Sequence, residues 1–426
     1  MEEKNKNTKT TKNKSRKTKS NNKFSKFLNT TNKFKNYEII VFMFLLVAAS
    51  VFLTIVVVNE SGSVIKYNKN KKVSANLSEV EEVYNLINKS YYKKVDKNKL
   101  IDGAIDGMLS SLDDPHTSYF SESETEQFNE VMNGSYEGIG AEVSTDKDKK
   151  VIVFSVFKNS PAAEAGLKYG DIITKVNGKS TDGMTTTEVV ALIKDPEKPV
   201  ANIIINRDGK ELEFNITKRE VVIESVESSI YTKNGKKIGY IVINSFANNT
   251  YEQFKQNLND LENKNINALI IDVRNNTGGY LHSVTNILNI ILPINKVMYQ
   301  IQDNKSVQKY KSTSPESRNY PIAVLVNKSS ASASEILAIS LKESYSATIV
   351  GTTTYGKGTV QTTKNLSNGS MIKYTIQKWL SPKGNWINDK GVEPTINIEL
   401  DEKYQSDPVD TNDNQLQKAL DVISGK

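Results

Sequence analysis

The chain of 426 residues has no cysteine, two histidines and a formal net charge of +7. The lack of cysteine excludes thiol nucleophiles, disulfides and cysteine-bound zinc, so covalent chemistry requires an oxygen nucleophile. Twelve Lys or Arg and two Glu give residues 1–36 a charge of +10 and leave −3 for the rest of the chain, which gives no support to a basic nucleic-acid surface.

The first 59 residues are predicted to be a cytoplasmic tail and a membrane anchor. Residues 1–36 have almost no apolar side chains to bury and are predicted to be disordered. Residues 37–59 contain twenty consecutive uncharged residues, Ile39 to Val58, enough for a helix to cross a bilayer of about 30 Å. A cleaved signal peptide is the alternative, but the apolar run is longer than a signal core. Since lysine-rich flanks stay in the cytoplasm, the rest of the chain is predicted to be extracytoplasmic, at a cell surface or in a periplasm.

A polar linker, residues 60–77, is predicted to precede a small helical segment, residues 78–134. Ser78 and Glu81 fit a capping box that opens a helix, and apolar residues then recur at helical spacing. A further helix is predicted to follow Ser121. Packing and dimerisation are equally open roles for this segment.

From residue 135 the chain changes to short strands separated by glycines. The strand pattern, the helix start at Ser160-Pro161 and the hairpin at Asp208-Gly209 together resemble a PDZ domain that covers residues 135–219. This resemblance implies a domain that binds the C-terminus of a protein or peptide.

The candidate peptide-binding residues of this domain are Gly138, Ile139, Gly140, Ala141 and Lys194. The two glycines let successive backbone N–H groups of the 138–141 loop converge on a peptide carboxylate, while the peptide adds to the sheet as a strand. Lys194, at the end of a predicted helix, is the weaker candidate, because a solvated lysine is also favoured at a helix end.

Residues 220–400 alternate strands and helices. Buried strands at 268–273 and 322–326 each run into a turn and then a helix, which predicts an α/β core with a mostly parallel sheet. The predicted fold class is therefore α+β multidomain: an N-terminal membrane helix, a helical segment, a PDZ-like β domain and an α/β core. In the C-terminal tail, residues 401–426, a short helix at 413–424 could serve dimerisation or cap the core.

Two turns at the carboxyl ends of these strands contain residues suited to catalysis. Gly278 and Gly279 expose backbone N–H groups that suit a developing oxyanion, although a plain tight turn is the alternative. A serine cluster, residues 329–334, follows another strand, and Lys357 stands between two glycines further on. Because lysine can replace histidine as the base for a serine nucleophile, these turns indicate a hydrolase.

Structural roles are the alternatives for the same residues. Ser332 and Glu335 also fit a helix capping box, and the two interpretations are compatible. Lys357 would ordinarily be a surface lysine, since lysines are rarely buried. To act as a base it must be recessed, so that burial lowers its pKa from about 10.4 by several units.

The order of these segments, with residues 272–279 (DVRNNTGG), 330–336 (SASASEI) and 356–361 (GKGTVQ), resembles the carboxy-terminal processing peptidases, which use a Ser-Lys dyad. The resemblance spans about residues 78–400 and implies a ClpP/crotonase-like peptidase core at 220–400. Thr277 stands where that family commonly has proline. The implied roles are Ser332 as nucleophile, Lys357 as general base, Gln361 as the residue that orients the lysine, and the backbone N–H groups of Ala333, Gly278 and the neighbouring candidate Gly279 as the oxyanion hole.

The resemblance implies a membrane-anchored, extracytoplasmic serine endopeptidase that binds substrate C-termini through its PDZ domain and cleaves upstream of them. Peptide binding is expected to move that domain and align the dyad. A noncatalytic PDZ protein on an inactive peptidase scaffold and a crotonase-like acyl-transfer enzyme are the alternatives. No cofactor, metal site or nucleic-acid partner is expected, His116 and His282 are not expected to be catalytic, and homo-oligomerisation stays open.

Overall fold

The structure is a computed structural model that describes residues 75–425. The predicted tail, membrane anchor and most of the linker lie outside these residues. No helix within the described range is both long enough and apolar enough to cross a membrane. The chain divides into two compact units between Val95 and Asp96.

Of the first unit, the structure describes helix α1 (Ala75–Ser90). Because α1 begins at Ala75, Ser78 lies inside the helix, and the prediction that a Ser78–Glu81 capping box opens it was wrong. Alanine and leucine both favour helix, and with Ala75 and Leu77 in place the turn before Ser78 is helical as well.

The second unit begins with helix α2 (Lys97–Ser110), strand β1 (Ser118–Phe120) and helix α3 (Glu122–Asn133). Ser121 caps α3 as predicted, forming a reciprocal capping box with Glu124. Gly134 ends α3 in the left-handed conformation at φ 73°, which favours a residue without Cβ. The segment predicted to be helical therefore also contains a strand.

The next ten elements form a β domain around one apolar core. Strands β3, β4, β5, β7 and β8 pair in that order, β6 adds to β5, and β2 pairs with β9. Asp208 and Gly209 have positive φ and join β7 to β8 in a two-residue hairpin, as predicted. The elements are β2 (Ser135–Gly138), β3 (Ala141–Thr145), β4 (Val151–Val156), α4 (Pro161–Ala165), β5 (Ile172–Val176), β6 (Lys179–Ser180), α5 (Thr186–Lys194), β7 (Val200–Arg207), β8 (Lys210–Thr217) and β9 (Arg219–Val222).

The remaining elements build the larger α/β part of the unit. In chain order they are β10 (Val226–Lys233), β11 (Lys236–Ile243), α6 (Thr250–Asn263), β12 (Ala268–Asp272), α7 (Leu281–Ile291), β13 (Val297–Gln302), β14 (Val307–Lys311), β15 (Ile322–Val326), α8 (Ala333–Ser344), β16 (Thr348–Gly351), β17 (Thr359–Asn365), β18 (Met371–Leu380), β19 (Ile396–Asn397), α9 (Glu402–Ser406), a 3-10 turn (Asp410–Asn412) and α10 (Asn414–Ser424).

The central sheet has the strand order β10-β11-β12-β15-β16-β19. β10 pairs antiparallel with β11, and every later pair is parallel. β12 and β15 are buried along their whole length, which is typical of parallel strands covered on both faces. The carboxyl ends of β12, β15 and β16 therefore lie side by side at one edge of the sheet.

Helices cover both faces of this sheet. On one face, α6 buries Phe254, Leu258 and Leu261, which follow helical spacing. On the other face, α10 buries Leu416, Ala419, Leu420 and Ile423 against the strands. Of the two roles left open for the C-terminal helix, the structure thus shows packing on the core.

A second, antiparallel sheet has the order β1-β18-β13-β14, with β17 also paired to β18. β1 precedes the β domain in the chain, whereas β13 to β18 follow it. The β domain is thus inserted between two parts of one α/β body.

Candidate active site

Ser332 occupies the turn between β15 and α8, at the carboxyl edge of the central sheet. Its backbone has φ 54° and ψ −113°, outside the regions that a residue with a side chain usually adopts. The Ala331 N–H donates to the Asn276 carbonyl at 3.1 Å, and the Ser332 N–H donates to Glu335 Oε2 at 2.8 Å. Such strain persists only where neighbouring structure enforces it, and it clusters at functional sites.

The neighbouring serines have structural partners. Ser330 and Ser334 are fully buried, and their hydroxyls donate to the carbonyls of Val273 at 2.7 Å and Asn276 at 2.8 Å. Ser332 is only half-buried. Its side chain takes part in the predicted capping box with Glu335 at the start of α8, and its hydroxyl donates to no acceptor within residues 75–425. Sequence alone could not separate the three serines, whereas in the structure Ser332 is the one of the three whose hydroxyl has no acceptor for its proton among the described residues.

Lys357 lies half-buried in the turn between β16 and β17. Burial, assisted by the positive charge of Lys373, lowers the pKa of Lys357 to about 8, while the carboxylates of Asp114 and Glu335 oppose part of this shift. About one amine in ten is then neutral at pH 7. Lys357 therefore has the lowered pKa that a lysine base requires.

Glu335 connects the serine turn to the lysine turn. Its side chain is fully buried. Oε2 accepts the backbone N–H of Ser332 at 2.8 Å and that of Lys357 at 2.9 Å, so one oxygen holds the backbones of both residues side by side. Oε1 accepts the Gly356 N–H and the Thr354 hydroxyl, each at 2.6 Å. Sequence analysis identified Glu335 only as a helix cap; an acidic residue in an otherwise apolar buried helix was the available signal.

The side chains of the proposed dyad are not hydrogen-bonded to each other. Within the described residues, neither Ser332 Oγ nor Lys357 Nζ donates a hydrogen bond. Gln361 Nε2 donates to the hydroxyls of Thr359 at 2.9 Å and Thr375 at 3.0 Å, and Gln361 does not contact the lysine amine. Direct proton transfer between the two predicted residues would therefore require that their side chains move.

The glycine turn predicted to form an oxyanion hole lies directly against Ser332. A Cβ on Gly278, whose φ is 106°, would come within 2.8 Å of the Ser332 Cβ. The Gly278 N–H already donates to Asn276 Oδ1 at 2.8 Å. The N–H groups of Gly279 and Ala333 have no acceptor among residues 75–425 and are the donors free to bind an oxyanion.

Residues that precede the β domain complete the surroundings of Lys357. The Thr375 N–H donates to the Thr117 hydroxyl at 3.3 Å, and Asp114 accepts the Thr117 hydroxyl at 2.6 Å. Burial and the charge of Lys357 lower the pKa of His116, whose ring lies 6.4 Å from that of Tyr355. Of these residues, Asp114 acts on the lysine, because its carboxylate raises the pKa of Lys357 and opposes the effect of burial.

His282, which directly follows the glycine turn in α7, is exposed. Its Nε2 is 3.0 Å from Asn248 Oδ1, and its ring lies 4.9 Å from that of Tyr280. His282 forms no hydrogen bond with Ser332 or Lys357 in the described part of the chain.

The predicted peptide-binding loop joins β2 to β3 in the β domain. Gly138 pairs with Arg219, Ala141 pairs with Val156, and Gly140 has φ 77°. The N–H of Ile139 has no acceptor in the described range. Lys194 does not contact this loop by hydrogen bond: its amine binds Glu130 of α3 at 2.7 Å and lies 5.3 Å from the centre of the Tyr136 ring.

The arrangement is suited to acyl transfer. It combines a free hydroxyl, an amine of lowered pKa and unpaired N–H donors at a helix start. No group of three or more His, Asp or Glu with metal-binding geometry occurs in residues 75–425.

Three family models match this chain. They are the "Activating protease CtpB N-terminal domain" over residues 44–125, the PDZ domain over residues 128–205 and peptidase family S41 over residues 237–398.

Individual proteins match over most of the chain. The carboxy-terminal processing protease CtpB of Bacillus subtilis (strain 168) is 41% identical over 360 residues, which cover 82% of this chain and 75% of that protein. The probable CtpA-like serine protease of Staphylococcus aureus (strain MSSA476) is 38% identical over 340 residues, covering 79% and 67%. The solved structure of an S41 protease from Bacteroides fragilis NCTC 9343 is similar in fold, with a TM-score of 0.50, 18% identity and coverage of 79% of this chain and 91% of that chain.

Proposed function

This chain belongs to the carboxy-terminal processing proteases of peptidase family S41, and we propose that it cleaves peptide bonds with Ser332 as nucleophile and Lys357 as general base. It is a serine-type endopeptidase that carries a PDZ domain. The observation that carries the proposal is the shared Glu335 oxygen, because it holds the backbone of an uncommitted serine beside that of a lysine with a pKa of about 8.

The proposed reaction has two steps. Neutral Lys357 takes the proton of Ser332 Oγ as this oxygen attacks the substrate carbonyl, and the N–H groups of Ala333 and of the glycine turn bind the oxyanion. The protonated lysine then gives its proton to the leaving amine, and an acyl-enzyme ester is left. Lys357 next takes a proton from water as the water oxygen attacks the ester carbonyl. It gives this proton to Ser332 Oγ when the bond between Oγ and the acyl carbon breaks, which releases the acid and restores the serine and the neutral lysine.

Gln361 is proposed to orient the lysine amine once the site is aligned. Its side chain now binds Thr359 and Thr375 on neighbouring strands. A change of rotamer would bring the amide oxygen toward the amine. The Asn276 side chain would likewise have to release the Gly278 N–H before Gly278 could join Ala333 in the oxyanion hole.

Binding of a substrate C-terminus to the PDZ domain is proposed to drive this alignment. A connected set of contacts supports the proposal: Lys194 binds Glu130 of α3, and the carbonyl of Met132 in the same helix accepts the Asn248 N–H at 2.8 Å. Two residues away, the Phe246 N–H donates to the Gly278 carbonyl at 3.0 Å. A peptide carboxylate that competes with Glu130 for Lys194 would therefore act on the helix that contacts the loop beside the oxyanion turn.

The enzyme is further proposed to be anchored in a membrane with its catalytic part outside the cytoplasm. Support comes from the sequence, in which a lysine-rich segment precedes the uncharged stretch of residues 37–59. Carbonate extraction of membranes and protease digestion of intact cells test this part. Release by carbonate, or protection from a protease that has access to the outer face of the cytoplasmic membrane, contradicts it.

The test of the catalytic proposal compares two serines of one turn. We expect Ser332→Ala to abolish cleavage of a model protein ending in an unstructured apolar tail, and Ser329→Ala to cleave it at a rate close to that of the unchanged enzyme. Ser329 is exposed and contacts only the turn itself, so its hydroxyl is the matched control. Mass spectrometry of the products measures the outcome, and cleavage by Ser332→Ala at the original site contradicts the assignment.

A further inference from the structure

Every backbone polar group of the Gly356–Gly358 segment, which contains Lys357, has a hydrogen-bond partner. The Gly356 and Lys357 N–H groups donate to Glu335, and the Gly358 N–H donates to Asn388 Oδ1 at 3.0 Å. The Gly356 carbonyl accepts the Asp389 N–H at 2.9 Å. Turns at a surface usually leave some of these groups to water, so this degree of internal pairing is unusual for a three-residue turn.

The last two carbonyls of this turn are bound by the only two tryptophans of the chain. Trp379 Nε1 donates to the Lys357 carbonyl at 2.8 Å, and Trp386 Nε1 donates to the Gly358 carbonyl at 2.9 Å. Trp379 is fully buried in β18, whereas Trp386 is 39% exposed in the loop that follows β18. An added Cβ on Gly358 would lie 2.6 Å from Trp386 Nε1, so the glycine permits this close approach.

We propose that Trp379 and Trp386 are positioning residues for the general base, which they hold in its recessed orientation by binding the carbonyls of the lysine turn. The proposal rests on the proposed role of Lys357. Glu335 fixes the Lys357 N–H and Trp379 fixes its carbonyl, so the two together set φ and ψ of the residue and the direction of its Cα–Cβ bond.

Indole suits this task because it is a rigid ring with one donor and no acceptor. In a Trp→Phe variant most of the ring packing is kept and the indole donor is lost. Trp379→Phe leaves the Lys357 carbonyl without a partner. In Trp386→Phe the Gly358 carbonyl loses one of its two donors and keeps the Trp379 backbone N–H at 3.1 Å. The turn can then regain hydrogen bonds only by opening toward water. An amine that becomes more exposed loses the burial that lowers its pKa.

The test compares Trp379→Phe and Trp386→Phe with Tyr299→Phe in the full chain. Tyr299 is buried in the same core cluster as Trp379, and its hydroxyl pairs with Thr285 at 2.8 Å, so this control also loses one buried polar group. We expect kcat to fall about tenfold to a hundredfold in Trp379→Phe and by a smaller factor in Trp386→Phe, where the Gly358 carbonyl keeps a second donor, with KM changed less than about twofold in both. The rising limb of the pH profile should also move to higher pH. Tyr299→Phe should lower the thermal midpoint and leave the pH profile unchanged.

A second readout follows the lysine without catalysis. In a Ser332→Ala background, pulses of acetic anhydride at a series of pH values, followed by peptide mass spectrometry, give the ionisation midpoint of Lys357. We expect this midpoint to rise in both tryptophan variants and to stay constant in Tyr299→Phe. Circular dichroism shows which variants are folded, and the half-exposed Trp386 provides a test even if Trp379→Phe does not fold.

The two readouts separate the possible failures. Unchanged midpoints of Lys357 and unchanged pH profiles in both tryptophan variants overturn the positioning proposal. Retained cleavage by Lys357→Ala instead overturns the proposed dyad, and the acetylation result still decides whether the indoles control the ionisation of the lysine.

Discussion

At the scale of single residues, Lys357 depends on its neighbours for its ionisation. Burial makes the largest contribution to its lowered pKa, and the next is the positive charge of Lys373. Lys373 is itself held over the rings of Phe120 and Phe128, at 5.2 Å and 5.7 Å from their centres. A second lysine therefore keeps the first one closer to neutrality.

The rate is predicted to follow this ionisation. Since only the neutral amine can accept a proton, kcat/KM should rise with pH and level off above about 8, the pKa of Lys357. In Lys373→Met the neighbouring charge is lost and the pKa of Lys357 rises, so the midpoint should move up by about a few tenths to one pH unit. Lys364→Met, which removes a charge from an exposed position in β17, is the control. A midpoint that moves equally in both variants, or moves down in Lys373→Met, rules out this explanation.

At the scale of elements, the site depends on the connection between helix α8 and the turn that follows β16. Glu335 lies in the first turn of α8 and accepts four hydrogen bonds from the two turns. At the other end of the same helix, Glu343 accepts two, from the Ser381 hydroxyl and the Lys383 N–H. Helix α8 therefore has a hydrogen-bonded carboxylate near each end, and only that of Glu335 lies at the candidate site.

Replacing each carboxylate by an amide tests the importance of this connection. In Glu335→Gln one oxygen becomes a donor that faces other donors, so we expect activity to fall about a hundredfold or more and the free energy of unfolding to fall by about 2 to 4 kcal/mol. In Glu343→Gln we expect a small loss of stability and nearly full activity. Thermal denaturation and peptide cleavage measure the two effects. Equal losses of activity in the two variants would mean that Glu335 supports activity only by stabilising helix α8, and not by connecting the serine and lysine turns.

At the scale of the whole molecule, the two chain connections of the PDZ domain lie together at one junction, near Gly134 and Ile223. The Gly134 carbonyl accepts the Ile223 N–H at 2.8 Å and the Asn249 side chain at 2.7 Å, and Gln253 Nε2 binds the Ile223 carbonyl at 2.9 Å. The two connections are thus joined to each other and to the start of α6. This junction lies beside the contacts proposed to carry the PDZ signal.

Two glycine-to-alanine variants distinguish an effect on the junction from an effect of backbone strain alone. Gly134 and Gly183 have φ of 73° and 74°, so alanine carries the same conformational cost at either position. A Cβ on Gly134 would lie 2.1 Å from Asn249 Oδ1, whereas a Cβ on Gly183 meets nothing within 4 Å. We expect Gly134→Ala to lower the ratio of cleavage rates for a substrate with a free C-terminal tail and one with a blocked tail, and Gly183→Ala to leave it unchanged. An unchanged ratio in Gly134→Ala shows that the junction does not transmit substrate binding.

Local patterns in the sequence predicted much of this fold. Buried strands such as β12 and β15 are nearly continuous apolar runs, so the sequence predicted them. A helix cap such as Ser121 depends on only a few adjacent residues, so it was predicted as well. The pairing of β1 with β18 could not, because Thr117 and Thr375 meet across 258 positions of chain. Residues whose partners are set by the fold, such as Glu335 and the two tryptophans, were likewise missed.

The insertion of the PDZ domain between two parts of one body has a consequence for the evolution of the enzyme. The two ends of the domain lie next to each other, so both of its connections to the body are at one place. A different domain whose ends are equally close could be inserted at the same place in the α/β body. If the PDZ domain selects the substrate as proposed, exchange of this domain would change the preferred targets and leave the proposed catalytic residues in place.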